Sequence, residues 1–345
     1  MKPFDMGQAM VFFFSRFGDK PGAALWLMFW QILVVFAGLA AFFLMVQDFL
    51  GEVFVHIDVH TGEPLDDTLF EAEMLEYMMG LLLWYPLIIL GAIMVYAVIK
   101  AAWLRFLVRN EIASIIPYRL GGDELRLVGV AAMAVFVAVF GTIAFTFALV
   151  FVSLLIAFVT GSGSSAAEVL GVLVSVVFAL GGIALVLFVA IRLSNADALS
   201  IRDRKFRFFE SWTATRGVFW PLVLSYLVVG LVGGFAASLV STFVQVGVMG
   251  AILPTLEQLQ DVNIDGMTGE MLLDMLSSVL LSPGILIPMI VGTILSIAIQ
   301  ILLEAALMGV AAYNVVRLGG GDLGEAEDAP VLDGSHPAGA SPTLG

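Results

Sequence analysis

Residues 127–159 read LVGVAAMAVFVAVFGTIAFTFALVFVSLLIAFV, and no charged side chain occurs between Arg126 and Glu168. A bilayer core about 30 Å thick is crossed by roughly 20 apolar residues in a helix. Only a helix or a closed barrel satisfies every backbone polar group inside lipid. This run exceeds one crossing, so its helix tilts or projects beyond the hydrocarbon. Five further apolar runs, charged only at Glu304, cover Ala23–Val46, Met78–Ile99, Val169–Ile191, Val218–Leu253 and Ile285–Val316. The predicted fold is therefore all-α, a polytopic bundle of six transmembrane helices.

Composition excludes the alternatives. The 345 residues are 61% hydrophobic and 13% charged, with a mean hydropathy of +1.05; soluble domains average roughly 45–50% apolar and about 25% charged. A formal charge of −14 argues against nucleic acid, whose phosphates need clustered Lys and Arg. The absence of cysteine removes disulfides, thiolate metal sites and thiol nucleophiles.

Basic residues orient the spans. Lys2, Arg16 and Lys20 precede span one; Lys100, Arg105, Arg109, Arg119 and Arg126 lie between spans two and three; Arg192, Arg202, Arg204, Lys205, Arg207 and Arg216 lie between spans four and five; Arg317 follows span six. All fifteen fall on one side, whereas the first and last connections on the other side carry acids such as Asp66, Asp67, Glu257 and Asp261. By the positive-inside rule both termini are cytoplasmic, N-in and C-in. The first apolar run is too long for a signal-peptide core of about 7–15 residues and is read as a retained span.

Each outward-going helix follows a basic, amphipathic segment. Met6, Met10, Phe13, Phe14 and Phe17 share one helical face, so residues 1–22 are expected to form a cytoplasmic helix lying in the lipid interface. Leu104, Leu107, Val108, Ile112 and Ile115 form a stripe beside Arg105 and Arg109 that Pro117 and Gly121-Gly122 should end. Phe206, Phe208, Phe209, Trp212, Phe219 and Trp220 interleave with Arg202, Arg204, Lys205 and Arg207. Arg105, Arg109, Arg202, Arg204, Lys205 and Arg207 are candidate contacts for anionic lipid headgroups, worth about 1 kcal/mol per basic residue near a charged surface. The alternative is that they only fix topology and anchor the helices.

Two outer loops match without gaps. Val55-His56-Ile57-Asp58-Val59-His60-Thr61-Gly62-Glu63-Pro64-Leu65-Asp66-Asp67 shares eight of thirteen positions with the stretch from Val262 to Asp274. Either spans one and two repeat as spans five and six, or turn-forming residues have converged. Both readings predict a short β-hairpin in each loop. His56, Asp58 and His60 would share a strand face suited to zinc, but the matching loop offers Asn263, Asp265 and Met267, so a solvated polar face is preferred and no metal is assigned.

Inside span six, Gly292, Ser296, Gln300 and Glu304 recur at steps of four and read as one small, polar stripe. Counting 1.5 Å per residue from Tyr313 places Glu304 about 14 Å deep, where a carboxylate is a functional-site hypothesis by default. No Lys, Arg or His is expected at that depth, so the side chain is read as neutral at rest, or bonded to Gln300, a Ser or Thr, or water. It either carries protons or a cation in a transporter or, as a protonated group, specifies helix packing. Gly230 with Gly234, and Gly171 with Ser175, have small-xxx-small spacing and point to packing. Thr142, Thr146 and Ser153 are expected to bond local backbone carbonyls.

No GxSxG elbow, HExxH pair or P-loop is present, so an enzyme is the class least supported, and no cofactor is implied. Residues 319–345, rich in Gly, Ala, Pro, Asp and Glu, read as a disordered acidic cytoplasmic tail after a membrane domain spanning 23–318.

The segments Glu210-Ser211-Trp212-Thr213-Ala214-Thr215-Arg216-Gly217-Val218-Phe219-Trp220 and Tyr118-Arg119-Leu120-Gly121-Gly122-Asp123-Glu124-Leu125-Arg126 resemble those of uncharacterised six-span bacterial inner-membrane proteins and, weakly, the membrane domain fused to some glycerophosphodiester phosphodiesterases. The resemblance implies a bacterial cytoplasmic-membrane setting and carries over no catalytic residue. The function expected is an envelope accessory or scaffold protein that organises lipid, a membrane-protein partner or a second copy. The rival is a small transporter or channel using Glu304, Gln300 and Ser296. A scaffold predicts a closed, dry bundle, and a transporter predicts a polar cavity reaching Glu304.

Overall fold

A computed structural model describes residues 3–55, 67–111, 116–160, 165–260, 271, 275, 277–279 and 281–320. Every regular element among them is helical: α1 (Met6–Asp19), α2 (Pro21–Val55), α3 (Asp67–Leu104) ending in a π-helical turn (Arg105–Arg109), α4 (Gly122–Thr160), α5 (Ser165–Leu193), α6 (Ala196–Asp203), α7 (Glu210–Ala214), α8 (Phe219–Gln260) and α9 (Pro283–Leu318). Six helices are long and apolar enough to cross a membrane, and they coincide with the six predicted runs. The predicted hairpins, with His56, Asp58 and His60, and the tail from residue 321 onward lie outside the described residues.

Local chemistry sets the boundaries. Asp5 caps α1 by accepting from the Gln8 N–H at 3.0 Å. Pro21 and Pro283 open α2 and α9, where a missing N–H costs no helical bond. Asn110, at φ 54°, ends the π turn as its N–H donates to the Arg105 carbonyl. The helical run of α3 and its π turn therefore stops at Arg109, well short of Pro117, because a left-handed residue caps it.

Packing is concentrated at one end. The starts of α2, α4 and α8 meet the ends of α3 and α9, with α1 and α6 filling the space between them. Trp103, Tyr313, Phe13, Phe106 and Leu222 are fully buried there. These are the helix ends that carry the Lys and Arg residues. Away from this end burial falls off: the apolar windows of α4 and α5 contain no fully buried residue. Leu83 and Phe158, 73% and 88% exposed, present the apolar surface that lipid requires.

The α1 helix departs from the expectation of an interfacial helix lying in lipid. Ala9, Phe12 and Phe13 are buried against α9, and Asp5 and Gln8 bond the Tyr313 hydroxyl at 3.3 and 3.2 Å. A Cβ on Gly309 would lie 2.9 Å from the Phe13 Cβ and 3.1 Å from its backbone nitrogen, so the contact needs glycine. Phe14 and Val11 remain exposed on the opposite side. The predicted apolar stripe is thus divided: Phe13 packs inside while Phe14 faces out.

The small-residue pairs are corrected as well. A Cβ on Gly230, Gly234 or Gly171 would meet nothing within 4 Å. The close approaches of α8 and α9 fall instead at Gly233, against Leu303, and at Gly292, where an added Cβ would lie 2.5 Å from Val244 Cγ1. A helix turns about 100° per residue, so Gly233 faces α9 while its neighbours at 230 and 234 point aside.

Candidate functional site

The α9 polar residues do not form one stripe. Steps of four advance the helix by about 400°, so three of them rotate the line by about 120°. Gly292 faces Val244 of α8, Gln300 is exposed, and Glu304 turns toward α3 and α6. Gln300 Nε2 lies 3.4 Å from Glu304 Oε1, and Ser296 stands one turn beyond, half-buried.

Half-buried Glu304 lines a cavity of about 220 Å³ with Tyr96 and Lys100 of α3, Ser194, Asp197 of α6 and Tyr226 of α8. Lys100 Nζ pairs with Asp197 Oδ2 at 2.5 Å and lies 5.5 Å from the centre of the Tyr96 ring. Ser194 donates to the Ile191 carbonyl at 2.8 Å and is within hydrogen-bonding reach of the Tyr226 hydroxyl. The expectation that no basic group shares the depth of Glu304 is overturned. Lys100 lies within the regular part of α3, before the π turn, and α6 brings Asp197 back toward the bundle to meet it.

A second charge cluster lies on the other side of the α3 end. Arg105, 3% exposed, donates to the buried Glu124 carboxylate and lies 3.8 Å from Asp123. Arg109 bonds both Asp123 oxygens, at 2.9 and 3.3 Å, and Arg126 donates to Asp123 at 2.6 Å. In a π turn the i→i+5 bonds lengthen each turn, which brings Arg105 and Arg109 into line over the first turn of α4. There the acids also favour the positive helix N-terminus. Arg105 lines a neighbouring cavity of about 290 Å³ with Trp26, Phe106, Glu111 and Arg119, and its hydrogen-bonded partner is a carboxylate of this chain.

The remaining candidate lipid contacts differ from one another. Arg202 donates to the Val315 carbonyl at 2.7 Å and to Asp203, so it caps the end of α9. Arg204 reaches Glu111 at 3.1 Å but is largely exposed, and Arg207 pairs with Glu210 at 3.0 Å. Lys205 is exposed beside Phe206, Phe209, Trp212 and Trp220, which are exposed too. Arg192 sits 5.1–5.3 Å from the ring centres of Phe188, Trp212 and Phe219, fixing this aromatic segment to α5.

Thr142, Thr146 and Ser153 donate to the carbonyls of Ala138, Thr142 and Leu149 at 2.8–2.9 Å, as expected. Burial pushes the Tyr118 phenol above its ordinary range. Among the described residues no three His, Asp or Glu side chains converge on a metal position. Sequence reasoning missed Lys100, Asp197, Tyr96 and Tyr226, which are spread over three helices. It also missed Asp123 and Glu124, although an Asp-Glu pair opening a helix after Gly-Gly signals a local sink for positive charge. The chain matches no family model, no curated protein and no solved structure.

Proposed function

We propose that this chain is a non-enzymatic, multi-pass protein of the bacterial cytoplasmic membrane, with both termini cytoplasmic, that acts as an envelope accessory or scaffold. On this reading it gathers lipid, a membrane-protein partner or a second copy between its open spans. The supporting observation is the unequal packing: a firmly packed basic end holds helices whose apolar windows, in α4 and α5, contain no fully buried residue. The exposed segment with Arg204, Lys205, Phe206, Phe209 and Trp212 supports the lipid part of the reading, because basic and aromatic side chains together suit an anionic interface. The one-sided Lys and Arg distribution supports the cytoplasmic placement of that end.

Extraction into native nanodiscs followed by mass spectrometry of lipids and proteins tests the proposal. Enrichment of anionic lipid over the surrounding membrane, or a stoichiometric protein partner, is expected; bulk lipid composition with no partner overturns it. Because the native chain has no cysteine, single cysteines placed in the 56–66 and 261–270 loops report their side of the membrane directly.

A second reading, a small transporter or channel, is favoured by the polar cavity at Glu304, the feature expected of a transporter and not of a closed, dry scaffold bundle. It predicts cation or proton flux in liposomes that Glu304→Gln abolishes, and absence of flux from the native protein removes it.

A further inference from the structure

We infer that the cavity between α3, α6, α8 and α9 is a binding site for one small monovalent cation, with Glu304 as its anionic ligand and the Lys100–Asp197 pair as the device that limits its charge. The inference shares its site with the transport reading but concerns binding, so it stands or falls without flux.

The charges that line this one cavity decide what it can hold. The ionisable or polar groups facing the cavity are Tyr96 and Lys100 from α3, Ser194, Asp197 from α6, Tyr226 from α8 and Glu304 from α9. Lys100 and Asp197, in contact at 2.5 Å, neutralise each other. Among the described residues Glu304 has only the Gln300 amide, at 3.4 Å and toward the exposed side. Two acids and one base leave a single negative charge.

That remainder selects the ligand. Hard cations take oxygen donors, and the cavity offers the Glu304 carboxylate with the Tyr226 and Ser194 hydroxyls. Divalent ions are held by several carboxylates, whereas here the second acid is already engaged by an ammonium group and that ammonium repels a second charge. About 220 Å³ leaves space for a partly hydrated ion, since one water occupies about 30 Å³ of liquid. The Arg105 cluster serves as an internal contrast, because its acids are all engaged by arginines.

The test uses the full chain in nanodiscs at neutral pH. Thermal unfolding is followed as sodium or potassium chloride replaces N-methylglucamine chloride at constant ionic strength. The native protein should be stabilised saturably by the small cation, and Glu304→Gln, nearly identical in shape, should raise the half-saturating concentration at least tenfold. Glu304→Asp should keep a saturable response. Lys100→Met frees Asp197 and should create a stabilisation by magnesium or calcium that the native protein lacks. An equal response in native and Glu304→Gln proteins, or none to any monovalent ion, overturns the site. A Lys100→Met protein indifferent to divalent ions overturns the role given to Lys100. Cation binding without flux would sink transport while leaving this inference intact.

Discussion

Two charge clusters flank the end of α3, five residues apart in sequence, and they are built in opposite ways. Around Arg105 the acids Glu124 and Asp123 are engaged by three arginines, and the central pair is fully buried. Around Lys100 one pair is formed, an additional acid remains, and the group opens into a cavity. Buried acids that are all engaged by arginines fix helices in place; an acid left over in a solvent-reachable cluster leaves room for something else.

The sharpest way to break this comparison is Glu124→Gln. Removing one partner of a buried ion pair costs about 3–5 kcal/mol, and Asp123 would then face Arg105, Arg109 and Arg126 alone. The expected result is a large fall in unfolding temperature in detergent; a shift no greater than that of Glu304→Gln would erase the distinction. Lys100→Met should follow, since hydrogen bonds to charged groups contribute about 1.5–3 kcal/mol. Its loss should be partly recovered by magnesium, a recovery that Glu124→Gln must not show.

Gly309→Ala probes whether the rigidity of the packed end extends to α1. Overpacking of this kind costs about 1–3 kcal/mol, and the added methyl would press on the Phe13 backbone. Limited proteolysis should then cut within residues 6–19, and an uncut α1 would mean that the contact relaxes without strain. Smallest is Glu304→Gln in the absence of small cations: a change within about 0.5 kcal/mol is expected. A loss above 2 kcal/mol in that buffer would mark Glu304 as a packing residue.

The spans were legible because lipid imposes one requirement, about 20 apolar residues per crossing, that sequence displays directly. The site was less so. Glu304 stood out by its charge within Ile285–Val316, but its neighbours are a lysine assigned to a connection and an aspartate within α6, which only the packing of four helices brings together. Arg105 and Arg109 looked like interfacial cations because a stripe beside two arginines does not reveal the carboxylates one turn into the next helix. Likewise, steps of four suggest a straight stripe, and the accumulated rotation that separates Gly292 from Glu304 becomes visible only when neighbours are in place.

The docking of α1 also has a temporal meaning. Asp5 and Tyr313 touch across 308 residues of sequence, and a ribosome adds about 5–20 residues per second. For roughly 15–60 seconds of synthesis the first helix therefore exists without the α9 part of its seat. During that interval the natural resting place for such a helix is the membrane surface, the location its sequence alone describes. The N-terminal segment is thus a late-closing latch: its burial reports that the final span has been inserted.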